Sequence, residues 1–124
     1  MAKKRSKNNP DVSKAFATMA DTFISMANDL EHARALAYVA VIAWNISLYP
    51  QDQIVDKITS VAQEYEKSNP GLIQAELMSE DLQKLVDRKL KKYPNIKETI
   101  TKIGVEEQGE AYVITAVSVP FVLQ

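Results

Sequence analysis

Apolar side chains recur at Val12, Phe16, Met19, Phe23, Met26, Leu30, Ala33, Ala37, Ala40 and Trp44, in alternating steps of four and three. That spacing places them all on one stripe of an α-helix, and neither glycine nor proline interrupts it before Pro50. Unbroken from Asp11 to Leu48, such a helix would be roughly 57 Å long at about 1.5 Å per residue. A compact domain of this chain length has a radius of gyration of only about 14 Å, so its diameter is on the order of 35 Å. Either the rod breaks near residues 28–31, where Asn28, Asp29 and Glu31 gather, or its first half projects toward a partner. The halves also differ in kind: residues 12–30 carry a narrow seam, whereas 35–44 are apolar nearly all round and demand burial on every side.

Beyond Tyr49-Pro50, Ile54, Ile58, Val61 and Tyr65 mark a second amphipathic helix over 51–67, ended by Ser68-Asn69-Pro70-Gly71. A further helical region spans 72–92, with Leu82, Leu85, Val86 and Leu90 as its apolar side and Ser79 as a candidate N-cap within it. The period then changes. From Ile96 the chain is rich in Ile, Thr and Val, and the acidic turn at 106–110 separates strands expected at 97–106 and 111–119. Val113, Thr115, Val117 and Val119 face one side of the hairpin; Tyr112, Ile114 and Ala116 face the other. Two strands alone are marginal in water and leave both edges open, so helices or a second copy of the chain must cover them. The expected architecture is α+β: three to four helices followed by a C-terminal β-hairpin, in a single domain over 10–124. Residues 1–9 hold Lys3, Lys4, Arg5 and Lys7 with no large apolar residue after Met1, and are expected to be a disordered tail.

Composition narrows the functional classes. With 46% hydrophobic and 25% charged residues in 124, the chain supports one core. A formal charge of -1 supplies no overall field toward nucleic acid or anionic membrane. The absence of cysteine removes disulfides, thiolate catalysis and Cys-based metal sites. Its basic start runs into Asn-Asn-Pro-Asp instead of an apolar run, unlike a signal peptide. The longest apolar run, Ala35 to Trp44, falls well short of the about 20 residues of a membrane-spanning helix. A cytoplasmic protein without membrane contact is expected.

The candidate chemistry is sparse. Gly71, Gly104 and Gly109 are too scattered for a phosphate-cradling loop, and no Gly-x-Ser-x-Gly elbow is present. Asp29-Leu-Glu-His32 loosely matches a carboxylate and histidine metal pair, but a di-metal bundle needs a second histidine that the chain lacks. The alternative is a local role for His32 beside Asp29. Tyr38, Trp44 and Asn45 could line a small-ligand pocket, although a tryptophan continuing a helical stripe belongs more naturally to a core. Lys84, Arg88, Lys91 and Lys92, with the basic tail, offer phosphate contacts, yet only Tyr93 interleaves with them as a stacking surface. No cofactor and no catalytic chemistry are expected. The sequence favours an interaction or assembly protein, a homo-oligomer joined through the Phe16, Met19, Phe23 and Met26 seam or through the hairpin edge. A nucleic-acid-binding accessory role is the main alternative, and a ligand or metal site near His32 and Trp44 the second.

Overall fold

The computed structural model describes residues 10–71 and 74–122; the basic tail at 1–9 lies outside them. Four helices, α1 (Pro10–Ile24), α2 (Leu30–Ile46), α3 (Gln51–Ser68) and α4 (Ala75–Lys92), precede the antiparallel hairpin of β1 (Glu98–Gln108) and β2 (Ala111–Pro120). The α+β order expected from hydrophobic spacing is thus observed, and α4 runs through Ser79 without a break.

The long rod is broken, and local polar groups break it. After Ile24 the main chain tightens: Met26 N–H donates to the Phe23 carbonyl and Ala27 N–H to that of Ile24, at 3.3 and 3.0 Å. A new helix then starts at Asp29, whose extended backbone (φ -156) and side chain form an N-cap. His32 N–H donates to Asp29 Oδ1 at 2.7 Å, and Asn28 N–H donates to His32 Nδ1 at 3.1 Å. The Asp29 half of this arrangement is that of a capping box, while the imidazole accepts from Asn28, one residue before the N-cap, instead of from the N-cap itself.

Folded back at that turn, α1 and α2 pack together, and the hairpin lies across them with β2 against α1 and β1 against α2. The α4 helix packs on α2 and α3. Ala33, Ala37, Ala40 and Ala43 put small side chains on the buried stripe of α2, which lets neighbouring backbones approach closely. One apolar cluster joins all six elements, centred on Trp44, with the Phe16 ring edge-on to the indole at 5.9 Å.

The hairpin contains an irregularity that spacing alone did not predict. Its register steps from Ile100↔Ser118 to Lys102↔Val117, so Thr101 is an extra residue in β1. Such a bulge shifts the inward parity of the strand: Glu98 and Ile100 face inward before it, Val105 after it. The turn is tighter than the acidic segment suggested. Gln108 pairs with Ala111, leaving only Gly109 and Glu110 as the loop. A φ of +64 at Gly109 fits the first central position of a type II′ turn, where glycine carries no steric cost.

Two side chains of α2 hold the start of β1. Trp44 Nε1–H donates to the Glu98 carbonyl at 2.8 Å. Asn45 takes both main-chain groups of Ile100: its Nδ2–H donates to the Ile100 carbonyl at 3.0 Å, and its Oδ1 accepts from Ile100 N–H at 2.9 Å. Breaking such bonds strands main-chain groups that are expensive to leave unpaired. Asn45→Ala should therefore lower stability by about 2 kcal/mol in urea denaturation, with amide exchange speeded more at Ile100 than at Thr115, which pairs with Gly104 inside the ladder, as the local signature.

Candidate functional site

The residues singled out by sequence do not converge on one site. Phe16 and Met19 are fully buried within their own chain, Phe23 is half-buried, and Met26 is 61% exposed. The apolar seam is therefore largely consumed by the intramolecular core once the rod folds back. Trp44 is likewise fully buried with its N–H bonded, and Asn45 is committed to Ile100. Tyr38 stands apart at 62% exposure. Asp29 and His32 are bound into the α2 cap, and no group of three or more His, Cys, Asp or Glu among the described residues is placed to hold a metal ion.

On α4, Lys84, Lys91 and Lys92 are exposed, whereas Arg88 is half-buried and donates to the Met19 carbonyl at 3.1 Å. Arg88 thus ties α4 to α1. Lys3, Lys4, Arg5 and Lys7 lie outside the described residues. No helix among the described residues is long and apolar enough to cross a membrane.

Lys89, close in sequence to the basic residues of α4, is not on their exposed side. It has no solvent exposure; its Nζ–H donates to the Ile96 carbonyl at 2.7 Å and lies 5.0 Å from the Trp44 ring centroid. Desolvation, helped by the positive charge of Lys97, lowers its pKa from 10.5 to about 8. The position could have been noticed: 89 follows 82, 85 and 86 on the apolar stripe of α4. Through this bond the amine anchors the loop into β1.

One surface feature among the described residues is the edge of β1. Asn45 binds both groups of Ile100, so these point away from β2. Beyond the bulge, Ala116 N–H donates to Ser13 Oγ at 2.9 Å, so the Ile103↔Ala116 pair also turns its main-chain groups outward. Antiparallel alternation extends this to Val105 and Glu107. Among the described residues no group bonds to the outward N–H and C=O of Ile103, Val105 or Glu107. A groove of about 360 Å³ runs beside this open edge, lined by Arg34, Tyr38, Ile103, Gly104, Val105 and Glu106.

One stripe of α2 faces the whole length of that edge: Arg34, Tyr38, Val41 and Asn45 are spaced four, three and four apart. At Asn45 the edge is sealed; at Tyr38 and Arg34 it is open. The result is a short, defined strip of unpaired β-strand flanked by an exposed aromatic ring and a guanidinium, able to hydrogen-bond another extended backbone. Compared with known protein families, with curated proteins and with solved structures, the chain matches none.

Two consequences are measurable in the isolated chain. Phe16→Ala should cost about 4 kcal/mol in urea denaturation, whereas Met26→Ala should change stability by less than about 0.5 kcal/mol. For Lys89, the unfolded amine keeps its proton up to 10.5, while the folded amine releases it near 8. Across that window unfolding takes up a proton, so stability rises with pH, by on the order of 3 kcal/mol at most. Urea midpoints at about pH 7 and about pH 10 should differ in this direction for the wild type, and the rise should vanish in Lys89→Met.

Proposed function

We propose that the protein is an interaction module that accepts an extended segment of a protein partner as an added strand on β1. The supporting observation is the edge from Ile103 to Glu107, whose outward main-chain groups have no partner among the described residues and border a groove. An unpaired strand edge is a template for another chain, and strand addition takes affinity from main-chain bonds and selectivity from neighbouring side-chain pockets. Tyr38 supplies such a neighbour, with a large, rigid surface at 62% exposure. Arg34 and Glu106 on opposite sides of the groove give it both signs of charge.

Catalysis has no comparable support. The lowered-pKa amine is fully buried and His32 is occupied in a helix cap. Phosphate recognition by α4 is weakened by the commitment of Arg88 to the Met19 carbonyl.

The edge is tested by selecting a displayed library of short random peptides on immobilised full-length protein. Recovered peptides should alternate apolar and polar residues, and their binding should fall at least about tenfold with Tyr38→Ala. Glu107→Pro should abolish it, because that residue's N–H points outward and its removal leaves the hairpin's own bonds intact. Peptides indifferent to both substitutions would overturn the reading.

A further inference from the structure

The open strip is short and bounded at both ends, and its sequence is nearly complementary to itself. At one end Asn45 seals Ile100; at the other the strand reaches the turn at Gly109. Val105 is the midpoint of the open residues Ile103 to Glu107. We infer that the strand accepted at this edge is β1 of a second copy of the chain, paired antiparallel about a two-fold axis at Val105. This rests on the strand-addition reading above and names its partner.

In that register Val105 pairs with its own counterpart, and Ile103 pairs with Glu107 of the second copy. These are the residues with outward main-chain groups, so every such pair exchanges both hydrogen bonds. On the outer face, Glu106 falls opposite Gly104, where no side chain obstructs it, and turns toward Lys102 of the second copy. The two-fold symmetry makes that contact twice. On the inner face Glu107 of the second copy enters the groove beside Arg34.

Neighbouring registers are worse. A shift centred on Glu106 sets the two Glu106 carboxylates directly against each other, which is destabilising. A shift centred on Gly104 brings Gln108 of the second copy against Ile100, whose main-chain groups are already taken by Asn45. The axis at Val105 satisfies both restrictions. It also places both α2 helices on the same side of a continuous four-stranded sheet, with the exposed Tyr38 ring of each beside the added strand.

Charge exchange tests both partner and register. Light scattering after size exclusion, on the full chain over a concentration series, should show twice the monomer mass at high concentration. Glu106→Lys alone and Lys102→Glu alone should each weaken association about tenfold, since two attractive contacts become repulsive. Both side chains are exposed in the monomer, so its fold is retained, as circular dichroism of each variant would verify. An equimolar mixture of the two variants should recover the wild-type association, because every cross-contact is then between opposite charges. A chain that stays monomeric at millimolar concentration while still binding selected peptides in a Glu107-dependent way would overturn the second copy and leave strand addition standing. A dimer indifferent to the charge exchange would overturn this register. Loss of both association and peptide binding would remove both readings.

Discussion

The attachment of β1 to α2 through main-chain capture organises the rest of the molecule. An isolated two-stranded hairpin is marginal in water, and its strands need a neighbour before their inward side chains are worth burying. Asn45 provides that neighbour at the start of β1, since a carboxamide carries the donor and acceptor of one residue of a strand. With Trp44 bonding Glu98 and Lys89 bonding Ile96, side chains from two helices take the carbonyls of residues 96, 98 and 100 in alternation. Ser13 secures the other strand at Ala116 from α1. The hairpin is thus held by helices on both edges at one end, and its apolar face meets the core as a consequence.

Lys89 shows what that anchoring demands. The Ile96 carbonyl needs a donor long enough to reach it from α4, and lysine is flexible enough to do so. The cost is desolvation of an ammonium group, visible in a pKa lowered to about 8. The 2.7 Å bond to Ile96 and the face of the Trp44 ring offset part of it. The amine, the indole and the Phe16 ring therefore form one cluster in which polar and apolar packing are inseparable.

Helical periodicity made the four-helix order legible, because a stripe of apolar residues reports a buried face wherever the helix lies. It could not distinguish a continuous rod from two helices folded back, since the same stripe continues across the break. The polar cluster at Asn28, Asp29 and Glu31 carried that information, and Asp29 and His32 expressed it as a cap. Phe16 and Met26 look equivalent on the stripe, yet one lies on the folded side and the other past the last turn of α1. The bulge at Thr101 left no periodic signal, because β-branched residues occupy both faces of β1 around it. The role of Asn45 was hidden for a different reason: its partner is backbone from a strand 55 residues away, and main chain has no signature in sequence.

The division of β1 into a sealed and an open part follows from side-chain chemistry along one stripe of α2. Asn45 matches a strand because it donates and accepts in one plane. Arg34 has five donors and no acceptor, so it cannot satisfy N–H groups, and the phenol of Tyr38 carries a single hydroxyl at the end of a rigid ring. Neither replaces a neighbouring backbone, and the edge beside them stays unpaired. Glu106 and Glu107 limit what can approach it, since charged residues on a short edge strand suppress indiscriminate pairing. Openness in the presence of such guards is selective: a chain that aligns lysine with Glu106 gains both hydrogen bonds and charge neutralisation, and one that does not meets repulsion. β1 itself, with Lys102 four residues before Glu106, carries that complement.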